Sequence, residues 1–315
     1  MTISELFRLI LPVFALIAVG AVLRRFHWME GAAEASLVRL VVNVLMPCLV
    51  FDTVVGNAAL RDPGNLLLPP FAGFVTTLLG FAVAYFAARR IGLVVGTGLR
   101  TFAISAGLCN YSYLPLTIVG AIWGTRAQGV LLVHNMGVEL AIWSVGLLIL
   151  TGASLREGWR RIVSPMLVSL VASAAINGAG LSPLVPGFAG SMAHSLGICA
   201  VPMGLVMTGV SIADYLDEPS RLLHLNVAVT SCVVRLGVLP VAILCLARWL
   251  PCPDELKRVL VVQAAMPAAV TPIILARHYG GQPLTAVQIV VATTAVGLVT
   301  CPLWIRAGLA WVGVA

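Results

Sequence analysis

The chain is poor in charge. Only 10% of its 315 residues are Asp, Glu, Lys or Arg, against 60% hydrophobic residues, and the mean hydropathy is +1.03. Soluble domains carry about 25% charged residues, so a soluble globular class is excluded. Catalytic signatures are missing too. There is no His-Glu-x-x-His helix, no Walker loop and no pair of aspartates, and Gly209-Val210-Ser211-Ile212-Ala213 departs from a nucleophile elbow at its last position. An enzyme and a directly ATP-driven pump are therefore not expected. The seven cysteines (Cys48, Cys109, Cys199, Cys232, Cys245, Cys252 and Cys301) are scattered, with no CxxC or Cys/His spacing. They read as small apolar residues, and neither a metal nor another cofactor is expected. The net charge of +7 sits in short clusters between apolar stretches, which is a topology signal and not a nucleic-acid surface.

What is present is long apolar runs. A helix needs about 20 apolar residues to cross ~30 Å of hydrocarbon. Ten segments qualify: Leu6–Phe26, Ser36–Val55, Leu66–Ala88, Thr101–Trp123, Gly129–Thr151, Ile162–Gly180, Ser191–Ile212, Leu222–Ala247, Val259–Ala276 and Leu284–Trp304. The first is too long for a signal-peptide core and runs into Arg24-Arg25, so it is expected to span and not to be cleaved. Loops after the odd-numbered segments hold ten basic residues (Arg24, Arg25, Arg89, Arg90, Arg100, Arg156, Arg160, Arg161, Arg221, Arg277) against seven on the opposite side. Up to Arg161 the bias is eight to three, and early charges dominate, so both termini are expected outside the cytoplasm.

Two of the ten segments are interrupted. The fourth is broken by Cys109-Asn110-Tyr111-Ser112-Tyr113-Leu114-Pro115, the ninth by Met266-Pro267-Ala268-Ala269-Val270-Thr271-Pro272. Proline removes a backbone donor and clashes with the preceding turn, so both helices should open at mid-depth. Opened backbone is tolerated in a membrane only where protein or a water-filled cavity satisfies it. Breaks at matching places of two halves mark the solute site of a secondary transporter. The halves do correspond. Pro12 pairs with Pro165, Pro47 with Pro202 and Pro115 with Pro272, at offsets of 153, 155 and 157 residues, and Gly124 pairs with Gly281 at 157. Five segments per half is an odd number, so the second repeat must be inverted. The expected fold is thus all-α and integral to the membrane: ten transmembrane helices in two inverted five-helix repeats, residues 1–155 and 156–315, with the fourth and ninth crossing.

Polar residues at membrane depth need a reason, since a charge at a helix centre costs about 2.5–3.5 kcal/mol on insertion scales. Asn110 sits at the first break, where its amide can contact a carboxylate or cap a half-helix. The half-helix N-termini favour an anion. The fifth segment carries His134, Asn135 and Glu139, and the eighth carries Arg235 at similar depth. A buried Glu139–Arg235 pair is expected, either static or carrying a proton, with His134 as a further proton acceptor or a capped histidine. Asn43, Gln263, Thr271, Tyr111 and Tyr113 are further cavity candidates, and Tyr113 could stack on an aromatic solute. Pro115, Pro267 and Pro272 form the helix crossover. Backbone carbonyls at the breaks together with Gln263 could coordinate Na⁺. Asp52, Asp214, Asp217 and Glu218 read as solvated.

Leu11-Pro12 with Gly20 and Arg24-Arg25, Leu45-Met46-Pro47-Cys48-Leu49-Val50-Phe51, Met266-Pro267-Ala268-Ala269 with Leu275-Ala276, and Thr293-Thr294 through Cys301-Pro302-Leu303-Trp304 resemble the auxin efflux carrier family. That family is similar in fold to bile-acid and sodium/proton transporters, and the resemblance implies efflux or exchange of a small organic anion by alternating access. Plant members move indole-3-acetate, and bacterial members are mostly assigned malate or malonate. It further implies a scaffold of segments 1, 2, 6 and 7, a moving bundle of segments 3–5 and 8–10, and asparagines Asn110 and Asn135 as substrate contacts. The expected setting is the cell membrane, with lipid and a second copy of the chain as partners. A sodium-coupled symporter of bile-acid-transporter type is the alternative; a membrane-embedded enzyme would need clustered catalytic residues that this chain does not show, and a channel is a further rival that single-channel currents would support and saturable exchange would exclude.

Overall fold

The computed structural model describes residues 2–152, 163–213 and 224–314. The boundary expected at 155/156 lies outside the described residues, as do Arg156, Arg160, Arg161, Asp214, Asp217, Glu218 and Arg221. Every regular element described is helical, and the one β feature is an isolated antiparallel bridge. Long helices are α1 (Ile3–Arg25), α2 (Gly31–Val54) and α3 (Pro63–Arg90). Two short ones follow, α4 (Leu99–Gly107) and α5 (113–123), then α6 (125–151) and α7 (Pro165–Gly178). The rest are α8 (Gly187–Ala213), α9 (Leu225–Trp249), α10 (Asp254–Ala265), α11 (Thr271–Tyr279) and α12 (Pro283–Val312).

Seven helical stretches are long and apolar enough to cross a membrane. The shortfall from the ten expected segments has local causes. The fourth and ninth segments are each split into two short helices. The sixth is the 14-residue apolar helix α7. The fifth is continuous with half of the fourth: Tyr113–Thr151 runs for 39 residues. At 1.5 Å per residue such a rod would reach about 58 Å, near twice the hydrocarbon thickness. It is not a rod. Gly124 has φ 69° and ψ −163°, non-helical values that glycine tolerates, and the chain folds back there. Gln128 Nε2 then donates to the Leu116 carbonyl at 3.0 Å, tying α6 against α5.

Prolines shape the helices unequally. Pro47 and Pro240 each follow a π turn, at Val41–Leu45 in α2 and Val234–Val238 in α9. The wider turn accommodates a missing i→i−4 donor. Pro202, its expected partner in the repeat, sits inside an α8 that continues without a break. A third π turn, Ile142–Gly146, interrupts α6.

Packing divides the helices. α1 and α2 lie along α8, and α2 also meets α7. α3 packs on α4 and α6, while α9 and α10 pack on α12. Lipid is as apolar as leucine, so close approach through small residues replaces hydrophobic drive as the packing device. A Cβ on Gly209 would strike the Ile17 carbonyl in α1, and one on Gly137 of α6 would strike the Pro70 carbonyl in α3. Gly137→Leu is expected to separate α3 from α6 and cost about 1–3 kcal/mol or more. Thermal unfolding in detergent, read by tryptophan fluorescence, measures this, and an unchanged midpoint would refute the contact.

Candidate functional site

The two interruptions meet. The chain leaves each first half extended, at Leu108 and at Met266, and the two segments pass each other to form the Cys109–Ala268 antiparallel bridge. The Asn110 N–H donates to the Pro267 carbonyl at 2.7 Å, and the Ala269 N–H donates to the Leu108 carbonyl at 3.1 Å. The backbone groups released by breaking each helix are thus satisfied by the other, as hydrocarbon requires. The small side chains of Ala268 and Ala269 leave room for that approach. The Ala268 N–H is further held by Thr293 Oγ1 of α12 at 3.1 Å.

On one side of the bridge lies a cavity of about 470 Å³. Ligand sites span roughly 300–1,000 Å³, so it is large enough for a small organic solute. Its floor is both breaks: Asn110, Ser112 and Tyr113 from one, Ala269, Val270 and Thr271 from the other. Tyr113 and Thr271 are the first residues of α5 and α11, so two helix N-termini open onto the same space. Each contributes a positive dipole end, although Pro115 and Pro272 carry no N–H and the Leu116 and Ile273 N–H groups already donate to the Ser112 and Val270 carbonyls. The walls come from α2 (Val38, Val42, Asn43, Met46), α8 (Met207, Thr208, Ser211) and the start of α7. The cavity extends toward the membrane face that holds Arg25, Thr151 and Pro165.

Of the candidate contacts, Asn43, Asn110, Tyr111, Tyr113 and Thr271 line this cavity. Asn43 Nδ2 also donates to the Arg39 carbonyl at 2.9 Å, within the π turn of α2. Asn135 and Gln263 do not reach it. They lie behind the bridge, where Gln263 Nε2 donates to Asn135 Oδ1 and to the Tyr111 carbonyl, each at 3.1 Å. Gln263 Oε1 accepts the Cys109 thiol at 3.2 Å. These side chains lock the broken segment to α6 and α10, and both are buried. Gln263 and His134 border a small void of about 10 Å³, room for about one water molecule. His134 is buried at that void and not capped near a membrane interface as expected; its Nδ1 faces Asn135 Oδ1 at 3.4 Å. Pro115 and Pro272 lie buried in the first turns of α5 and α11, and Pro267 supplies the bridge carbonyl.

The expected Glu139–Arg235 pair does not form, because each group has other partners. Glu139 faces the cavity. Its Oε1 accepts the Tyr111 hydroxyl at 2.6 Å and its Oε2 accepts Trp143 Nε1 at 2.8 Å. Arg235 lies on the far side of the bridge and donates to the carbonyls of Gly107 and Ala264. Trp143 is the contact that sequence reasoning missed. The signal was there: it stands four residues after Glu139, the spacing of one helix face. Met207, Thr208 and Ser211 were also missed, being ordinary apolar-helix residues with no local mark.

Among the described residues no lysine or arginine lines the cavity, and Glu139 is the one carboxylate that does. Tyr111 joins that carboxylate to the break, so the protonation of Glu139 and the position of the broken strand are mechanically linked. Tyr111→Phe removes a hydrogen bond that strengthens when Glu139 is ionised, from about 0.5–1.5 to about 1.5–3 kcal/mol. The stability lost in this variant is therefore expected to grow as pH rises. Melting curves of both proteins across a pH series test it, and a loss that shrinks with rising pH would contradict the link.

Described residues that are helical throughout, with seven stretches fit to cross a membrane and two breaks that meet face to face beside a cavity, define a multi-pass membrane protein of the transporter class. The sequence matches the family described as "Membrane transport protein" over residues 6–157 and 152–305, which together take in nearly the whole chain. It belongs to this auxin efflux carrier-type family of membrane transporters. It is also similar to a protein of Methanothermobacter thermautotrophicus (strain Delta H) described as "Uncharacterized transporter", with 27% identity over 302 residues, 94% of this chain and 96% of the relative.

Proposed function

We propose that this chain is a secondary transporter that moves a small organic monocarboxylate with an apolar body by alternating access. The observation that carries the reading is the opening of two helix N-termini, at Tyr113 and Thr271, onto one cavity. Such ends bind an anion without a cationic side chain. The lining supports the solute class. Val42, Met46, Met207, Val270 and Ile274 with Tyr111, Tyr113 and Trp143 suit an indole-like or alkyl body. A dicarboxylate such as malate or malonate would ask for a second positive partner, and the described residues of the cavity wall hold none.

In this reading the chain crosses the cell membrane ten times in two inverted repeats, 1–155 and 156–315. The scaffold is α1, α2, α7 and α8, and the moving bundle is α3–α6 with α9–α12. The packing of α1 and α2 on α8, apart from that of α3 on α4 and α6, favours this division. Arginines at the α1 and α3 ends favour a cytoplasmic location for the face toward which the cavity extends, so the conformation is inward-open and both termini are outside. Asn110 contacts the carboxylate, and Tyr113 stacks on the body of the solute. Glu139 carries the coupled proton: an anion and an ionised Glu139 in one low-dielectric cavity repel, so the solute favours the protonated form. A second copy of the chain is the partner in the membrane.

The test is uptake into proteoliposomes with labelled indole-3-acetate and labelled malate. Saturable flux is expected, with the monocarboxylate preferred, and single-channel currents would argue for a channel instead. Asn110→Ala is expected to weaken affinity about 10- to 150-fold, the equivalent of a lost hydrogen bond to a charged group at about 1.5–3 kcal/mol. Glu139→Gln is expected to abolish the pH dependence of flux while leaving solute binding. Intact affinity in the first variant, or an intact pH profile in the second, would remove that residue from its role.

A further inference from the structure

Arg235 heads the fully buried side chains in size, and the transport reading makes no use of it. It leaves α9 from the π turn and ends between two opened helices. One guanidinium nitrogen, Nη1, donates to the Gly107 carbonyl at 3.3 Å; the other, Nη2, donates to the Ala264 carbonyl at 3.4 Å. Gly107 is the last residue of α4, and Ala264 lies in the last turn of α10. A helix C-terminus carries roughly half a negative charge on its unpaired carbonyls. Two such ends converge behind the bridge, as the two N-termini converge in front of it.

This is a place that attracts a cation, and here the cation is covalently attached. No Asp or Glu among the described residues pairs with Arg235; the one acid at similar depth, Glu139, is tied to Tyr111 and Trp143. The helix-end carbonyls are the counter-charge. They are also the oxygens that a sodium-coupled carrier would turn toward Na⁺. Gln263, the side chain able to complete such a cage, is committed: its Oε1 takes the Cys109 thiol, and its amide nitrogen faces Tyr111 and Asn135.

We propose that Arg235 is a tethered cation at the crossover. Its guanidinium stands where a coupling Na⁺ would bind, clamps the carbonyl ends of both broken helices, and leaves transport independent of alkali cations. It is a positioning residue, since it lies away from the solute cavity and acts through the break. Only the statement about transport rests on the proposed function; the cation site itself does not.

The experiment uses purified Arg235→Ala, Arg235→Lys and Arg235→Gln proteins beside the unmodified chain. Melting is followed in choline chloride, sodium chloride and dilute guanidinium chloride. The unmodified protein is expected to melt alike in sodium and choline. Arg235→Ala should melt lower by on the order of 5–10 °C in choline and recover part of that loss with guanidinium or Na⁺. Arg235→Lys should stay near the unmodified protein, and Arg235→Gln, which keeps donors without charge, should fall well below it. Stabilisation of the unmodified chain by Na⁺, or an Arg235→Ala loss that neither cation restores, would overturn the proposal. If the alanine variant yields no folded protein, the Lys and Gln variants decide: equal melting of the two would mean that charge is irrelevant. Flux of indole-3-acetate equal in sodium and choline completes the test, and a sodium requirement would overturn the last clause. Absence of any flux would count against the transport reading and leave the melting result standing.

Discussion

Everything in this molecule depends on backbone groups that a membrane does not allow to stay unpaired. Breaking two helices frees donors and acceptors where no bulk water can take them. The Cys109–Ala268 bridge answers that demand with two hydrogen bonds between the breaks. Side chains answer the rest: Gln263 takes the Tyr111 carbonyl, Cys301 donates its thiol to the Ala265 carbonyl, and Arg235 takes Gly107 and Ala264. Each unsatisfied group would cost several kcal/mol in hydrocarbon, so this network fixes the position of the breaks more firmly than any apolar contact.

A polarity follows from that arrangement. The second halves of the broken helices present N-termini to one side of the bridge, and the first halves present C-termini to the other. The N-terminal side holds the cavity, with Asn110, Tyr113 and Thr271 at its floor. The C-terminal side holds the buried arginine. The same backbone break thus presents helix N-termini to the cavity in front and helix C-termini to the arginine behind, and among the described residues Glu139 is the one charged side chain in the cavity lining. This separation also accounts for the missing Glu139–Arg235 pair. The two charges lie on opposite sides of a paired backbone, and each has its own uncharged partners: Tyr111 and Trp143 for Glu139, and the Gly107 and Ala264 carbonyls for the two terminal nitrogens of Arg235.

The π turns belong to the same logic. π turns in α2, α6 and α9 relax the regular ladder while keeping it paired, and they carry Asn43, Trp143 and Arg235. Glycine contacts such as Gly209 on α1 and Gly137 on α3 do the opposite, holding neighbouring helices at backbone distance.

Much of this was written in local sequence, because hydrocarbon imposes one-dimensional rules. Apolar length marked the membrane helices, and proline and glycine marked both breaks. The family was legible from the same motifs. Asn110, Tyr113 and Thr271 were found because a break in a membrane helix singles out its neighbours. Three things lay beyond that reach. The back-folding at Gly124 depends on Gln128 meeting Leu116, a contact between residues twelve apart. The partners of Glu139 and Arg235 depend on which face of α6 and α9 turns toward the bridge, and similar depth in the membrane says nothing about side. Asn135 and Gln263 looked like solute contacts by type and became locks by packing, since their amides were nearer to each other than to open space. Depth and breakage are properties of a segment and can be read along the chain. Sidedness and partnership are properties of pairs of segments, and only the assembled bundle decides them.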